Sequence, residues 1–324
     1  MAILPMVNTI RKYDWGSLTE IPRLTGIENR ADEPMAELWM GTHPGAPSRV
    51  REDGDVVPLP TFLEERPEER LGRAVVEHFG ERLPFLFKIL SAARPLSIQA
   101  HPNLDQARAG FAREEEAGIP RDAYERSYRD DNHKPEIIRA LTEFWALRGF
   151  RSHAEIAEEL GAGEFAFLSP PTERLRQEGG AEALEAVFEA VMTADARELA
   201  EAARAYAGRR LGSVGTGERA RYEWVLRLFE EFGADRGVAA PLYLNCLRLE
   251  PGEAMFLPAG TLHAYLSGTG IELMANSDNV LRGGLTGKHV DVQELNRTLV
   301  FEPDEPELQR APADRAGRWH RFTS

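Results

Sequence analysis

The spacing of apolar residues changes twice along the chain, and this change constrains the fold more than any single motif. From residue 1 to about 150 the texture is strand and loop, with short apolar runs such as LPFLFKIL (83–90) and PLSIQAHP (95–102) set among Pro and Gly. Between 151 and 237 the composition shifts to Ala, Glu, Arg and Leu, and the segments 181–208 and 221–233 carry apolar residues at helical spacing. Strand texture returns at 241–249, 255–258, 262–266 and 271–275, short runs joined by Gly and Pro turns, as in a sandwich or barrel. A sheet accommodates such a helical block only as an excursion. The expectation is therefore a mainly β protein with an α insertion: a barrel built discontinuously from 1–150 and 238–302, an inserted helical domain at 151–237, and a C-terminal segment at 303–324. Helical stretches at 61–80 and 103–117 are expected as additions to the sheet.

Charge and cysteine content narrow the function. Asp and Glu number 53 against 39 Lys and Arg, a formal net charge of -14 whose field repels polyanions, so nucleic acid is not expected as a partner. The single cysteine, Cys246, excludes a disulfide framework and a thiolate-built zinc site. No apolar run approaches the roughly 18 residues of a membrane span. The N-terminus lacks a secretory pattern, so a cytoplasmic chain without a membrane partner is expected. Lysine occurs only at Lys12, Lys88, Lys134 and Lys288, and where so Arg-rich a chain uses Lys a specific reason is expected.

Three segments offer ligands. In SIQAHPN, Gln99 and His101 are two apart, so on a strand they share one face while Ile98 and Ala100 pack on the other, although without further partners a satisfied surface His beside a Gln is the favoured reading. In DDNHKPEII, Pro135 biases Lys134 toward extended backbone, which places Lys134 and Glu136 on one side; an exposed charged turn is the alternative, and the apolar continuation IIRAL argues against it. In PAGTLHAYL, Pro258 and Gly260 make a tight turn, after which His263 and Tyr265 alternate with Leu262, Ala264 and Leu266. Further on, Glu272 and Met274 alternate with Ile271 and Leu273. The Pro-x-Gly-x-x-His pattern is typical of cupin-type jelly-roll barrels, whose interior gathers His and carboxylate ligands. Together Gln99, His101, Glu136 and His263 make an acceptable shell for Zn²⁺ or another divalent first-row metal. The loop NSDNVLRGGLTGK adds Arg282 and Lys288 on a glycine-rich backbone suited to a phosphate, although a solvated connection would read the same way.

With YDWG (13–16), AELWMGTHPGAPS (36–48), KILSAARPLSIQAHPN (88–103), NHKPE (132–136) and the run 251–292, in this order around a helical insert, the chain resembles the type I mannose-6-phosphate isomerases of the cupin superfamily. The resemblance implies zinc-dependent interconversion of mannose 6-phosphate and fructose 6-phosphate through a cis-enediol, with one zinc per chain at Gln99, His101, Glu136 and His263. It also implies an active-site role for Arg282, pocket-lining roles for Ser97, Lys134 and Lys288, and proton-transfer roles for Glu272 and Asp278. Arg282 is expected to steady the developing oxyanion, Lys288 with Ser97 or Lys134 to hold the phosphate, and Glu272 to carry the proton, with Lys134 as a rival base. Two departures stand out. Family members usually carry Pro where this chain has Gly287, and they continue into another jelly-roll domain whose counterpart is not expected here. A monomer acting on a small sugar phosphate is expected. The rivals are a cupin dioxygenase, which has no use for a phosphate cradle, and a non-catalytic sugar-phosphate sensor, against which the complete ligand set argues.

Overall fold

A computed structural model describes residues 3–310. Ten strands form one antiparallel network around a long central strand. In chain order they are β1 (Thr9–Arg11), β2 (Glu37–Gly41), β3 (Phe85–Ala92), β4 (Ile98–Ala100), β5 (Glu136–Ala140), β6 (Phe144–Phe150), β7 (Leu244–Leu249), β8 (Glu253–Leu257), β9 (His263–Ala275) and β10 (Leu281–Gly284). Along one direction the order is β8-β5-β9-β3-β2-β1, extended at the β8 edge by a short strand, Gln309–Arg310. The first part of β9 pairs instead with β6 and β4, which in turn pair with β7 and β10. A separate three-stranded sheet has Arg49–Glu52 between Met6–Val7 and Asp55–Pro58.

The central strand differs from expectation. The segments 262–266 and 271–275 are not two strands joined by a turn but one 13-residue strand, passing through Gly268 and Gly270. A register shift between Tyr265 and Ser267 inserts one extra residue. Such a bulge reverses which face odd- and even-numbered residues occupy. It is why odd-numbered His263 and Tyr265 and even-numbered Glu272 all turn inward, with Glu272 2% exposed.

Helix makes up 40% of the structure and strand 24%, so the protein is mixed α and β rather than mainly β. The excess comes from the middle of the chain. Phe150 of β6 stands opposite Leu244 of β7, so the chain leaves the sheet and re-enters it at neighbouring positions. Between them the 181–208 run forms two helices, Ala181–Thr193 and Ala196–Leu211, because Ala194 is extended and Asp195 caps the second by accepting from the Glu198 N–H at 2.9 Å. The helix Thr216–Phe232 follows. The segment 61–80 is likewise divided, into Leu59–Glu65, Pro67–Leu71 and Arg73–Phe79, while Leu104–Glu116 is one helix with a capping box at Asn103. The last part of the expected segment 303–324, residues 311–324, lies outside the described residues.

One apolar cluster unites the two kinds of structure: Ile98, Leu147, Phe150 and Ala264 of the strands share it with Ile156, Phe188, Tyr206 and Tyr222 of the helices. Phe188 is its hinge, meeting Phe150 edge-on at 5.7 Å between centroids and Phe301 at 5.8 Å. We expect Phe188→Ala to destabilise the chain by about 3–5 kcal/mol, read as a lowered urea midpoint; a loss below about 1 kcal/mol would show that the helices do not depend on this contact.

Candidate metal centre and substrate cleft

Three buried side chains from separate strands converge. His101 follows β4, Glu136 opens β5 and His263 opens β9, and one ligand atom from each lies within 4.8 Å of the others. Alternation explains the first: Ile98 and Ala100 are fully buried on one face of β4, so Gln99 and His101 face the other. Gln99 stands opposite His263 on one side and opposite Arg282 of β10 on the other, which places it beside the cluster.

Hydrogen bonds fix the state of the two imidazoles. His101 Nδ1 donates to the Asn279 carbonyl at 2.8 Å, and His263 Nδ1 donates to the Thr261 carbonyl at 2.9 Å. A carbonyl only accepts, so each neutral ring carries its proton on Nδ1 and presents a bare Nε2 lone pair. Neither Nε2 has a hydrogen-bond partner among the described residues. They face Glu136 instead, 3.3 Å from Oε1 and 3.6 Å from Oε2. Protonation of His101 does not relieve its part of this opposition at neutral pH, because burial, assisted by the Lys134 charge, holds that ring down at about 4. Burial raises the Glu136 carboxyl, but Lys134 and His101 together pull it well below the usual carboxylate range. Lys134 Nζ, 3.1 Å from Glu136 Oε1, meets the carboxylate but leaves the two Nε2 lone pairs without a partner. Acceptors gathered against acceptors in a dry pocket form a site for a cation, and two imidazole nitrogens with a carboxylate suit zinc.

Beside this cluster lies a buried ion group that only partly shows in the sequence. Lys88 of β3 reaches Glu272 at 2.9 Å and Glu37 at 3.3 Å, and Glu37 also accepts from Trp39 Nε1 at 2.8 Å. Burial lowers the Lys88 pKa, yet Glu272, Glu37 and Glu136 outweigh it and hold the ammonium charged. Burial pushes the Glu272 carboxyl up against the pull of Lys88. Glu272 is thus part of a pair rather than an isolated carboxylate. Asp278 is turned elsewhere: it is about half exposed and lies 3.4 Å from His43 Nε2, and its N–H donates to Asp130 Oδ2 at 2.7 Å.

An open cleft of about 600 Å³ is lined by Trp15, Arg94, Ser97, Thr286 and Lys288 among others. Ser97, Gln99 and His101 succeed one another at every second residue, so one strand leads from the cleft to the cluster. Arg282 is half-buried beside it, with its Nε unbonded among the described residues. Burial and then Arg129 lower the Arg282 pKa; burial, Arg282 and Arg129 in turn lower that of Lys288. With Arg129 and Arg282 both close enough to act on Lys288, the three cations form a place prepared for an anion of more than one charge. Lys134, bonded to Glu136, stands with the metal cluster.

The sequence does not single out Lys88, Glu37 or Arg129 as site residues. A signal exists for Lys88 alone: it occupies the buried face of β3 between Leu86 and Leu90, where a lysine requires partners.

The chain matches the family model of the phosphomannose isomerase type I catalytic domain over residues 3–153. Among curated proteins it is 46% identical over 299 residues to mannose-6-phosphate isomerase of Escherichia coli strain K12, covering 92% of this chain and 74% of the relative. It is 36% identical over 322 residues to mannose-6-phosphate isomerase of Macaca fascicularis, covering 93% and 74%. Among solved structures, a zinc-bound mannose 6-phosphate isomerase superposes with a TM-score of 0.83 at 43% identity, covering 93% of this chain and 75% of that one. The Salmonella typhimurium enzyme bound to substrate and zinc superposes with a TM-score of 0.85 at 42% identity, covering 97% and 78%.

Proposed function

The chain belongs to the mannose-6-phosphate isomerase family, and from that membership we propose that it interconverts mannose 6-phosphate and fructose 6-phosphate through a cis-enediol. The observation that carries the proposal is the pair of bare Nε2 atoms of His101 and His263 facing the Glu136 carboxylate. These three residues and Gln99 would hold one zinc ion. Zinc bound there would act as a Lewis acid toward the sugar oxygens at C1 and C2.

The chain's own residues supply the rest. Isomerisation moves a proton between C2 and C1, so it needs a carrier near both carbons and positive charge near both oxygens. Glu272 suits the carrier: burial has raised its pKa toward the working range, and Lys88 at 2.9 Å can steady it as the proton is taken and returned. Arg282, next to Gln99 in the register, suits the developing oxyanion. Lys288 and Ser97 at the cleft suit the phosphate, with the charge of Arg129 acting on Lys288. Lys134 keeps Glu136 ionised and so acts on the metal ligands, while Asp278, paired with His43, is left as a positioning group at the rim. The paired strands around β9 support the cupin-type barrel, and the excursion between Phe150 and Leu244 supports a division into a barrel at 1–150 and 238–302 with helices at 151–237.

A coupled assay with mannose 6-phosphate, before and after treatment with a chelator, tests the proposal. Turnover that chelation removes and zinc restores is expected; binding of the sugar phosphate without turnover would make the protein a sensor. A smaller effect is expected at the cleft rim. Lys288→Ala should raise KM by on the order of tenfold, with little loss of kcat, and make the remaining affinity less sensitive to salt. An unchanged KM would remove Lys288 from the phosphate site.

A further inference from the structure

Beyond β10, whose Arg282 and Gly284 stand opposite Gln99 and Ile98, the segment that carries Lys288 has little to hold it from within. Gly287 has no side chain, and Lys288 lies among cations that repel it. Yet Leu285 sits at φ 53°, a left-handed conformation that a branched residue keeps only where its surroundings impose it.

The restraint comes from Asp235, just beyond the helix Thr216–Phe232. Its Oδ1 accepts from the Leu285 N–H at 2.8 Å and from the Gly237 N–H at 2.7 Å, and its Oδ2 accepts from the Thr286 N–H at 3.3 Å. The two backbones are in direct contact there. A Cβ on Gly237 would stand 2.8 Å from the Leu285 nitrogen, and one on Gly284, at φ 133°, would stand 2.9 Å from the Gly237 Cα. Leu285 is 2% exposed, so water cannot readily replace the carboxylate at its N–H. Past this point the loop has lighter ties: the Lys288 N–H donates to Thr286 Oγ1 at 3.0 Å, and the largely exposed Tyr124 hydroxyl donates to the Gly287 carbonyl at 3.0 Å.

We infer that Asp235, a residue of the helical segment, is the positioning residue that fixes the 285–288 loop beyond β10 and so holds Lys288 against Arg282 and Arg129 for the phosphate. The inference rests on the isomerase function proposed above. Without the carboxylate, two adjacent loop N–H groups lose their acceptor, Leu285 is free to leave its left-handed conformation, and repulsion among the cations drives Lys288 outward.

Asp235→Ala and Asp235→Asn, prepared in the full chain with its metal, decide the matter. The measurements are kcat and KM for mannose 6-phosphate, the inhibition constant of inorganic phosphate, and the rise in melting temperature that phosphate produces. Asp235→Ala should raise KM and the phosphate inhibition constant together by on the order of tenfold, as expected for lost charge-assisted hydrogen bonds, with kcat within about threefold. Asp235→Asn, which folds with one acceptor oxygen retained, should fall between. A residue that merely stabilised the fold would lower the active fraction and hence kcat, leaving KM and the inhibition constant unchanged; that result, in either variant, overturns the inference. Should the wild-type chain not isomerise mannose 6-phosphate, the proposed function falls on its own. The phosphate-induced rise in melting temperature then still decides the role of Asp235: its loss in Asp235→Ala supports the clasp, and its persistence refutes it.

Discussion

Exchanging His101 and His263 together for alanine is expected to give a folded protein that retains almost no zinc and isomerises mannose 6-phosphate roughly a thousandfold or more slowly, a loss of several kcal/mol of transition-state stabilisation. The reason lies in the apposition of two bare Nε2 atoms and one carboxylate, which leaves the site without purpose once the nitrogens are gone. Elemental analysis of protein purified without added metal checks the first part and the coupled assay the second. Wild-type zinc content in the double variant would move the metal to other residues. Acid should compete with zinc only late. The ligands must be deprotonated to bind, and burial holds His101 at about 4 rather than at the ordinary imidazole value, so zinc content should persist through about pH 6 and fall as pH approaches the value of the folded ring.

Arg282→Ala should lower kcat by on the order of 100-fold or more while shifting the melting temperature little. Arg282 is half-buried, its Nε has no partner among the described residues, and no described carboxylate pairs with it, so the native fold gains little from its charge. A cation kept under those conditions contributes when charge develops on the substrate, which is a kcat effect. A raised KM at unchanged kcat would make Arg282 a phosphate ligand only.

The grouping of His101, Glu136 and His263 was legible because each of the segments that carry them is announced by local grammar. Period-2 alternation around Ile98 and Ala100 orients Gln99 and His101, Pro135 orients Lys134 and Glu136, and the turn at Pro258 and Gly260 introduces His263. What stayed hidden depends on distance along the chain. Glu37 meets Lys88 across 51 positions and Asp235 meets Leu285 across 50, and no local pattern encodes such a pairing. The bulge at Tyr265/Ser267 was hidden for another reason: its glycine-bearing sequence reads equally well as a turn between two strands, and only pairing with both β6 and β3 makes one strand of it. In the helical block the apolar spacing was plain, but the break at Ala194 depends on one Asp acting as a cap.

The central position of β9 has a consequence for how the protein is made on the ribosome. β3, β4, β5 and β6 all lie before residue 151, and each finds a hydrogen-bonded neighbour in β9, which is not synthesised until residues 263–275. Apart from β1, β2 and β3, which pair among themselves, the early strands therefore leave the exit tunnel with open edges. At about 5–20 residues per second they wait several seconds for their partner, a period in which exposed edges invite pairing with other chains. The helices between Phe150 and Leu244 emerge during this wait. By drawing Leu147, Phe150 and Ile98 into their own cluster they can cover part of the unfinished sheet before the last strand closes it.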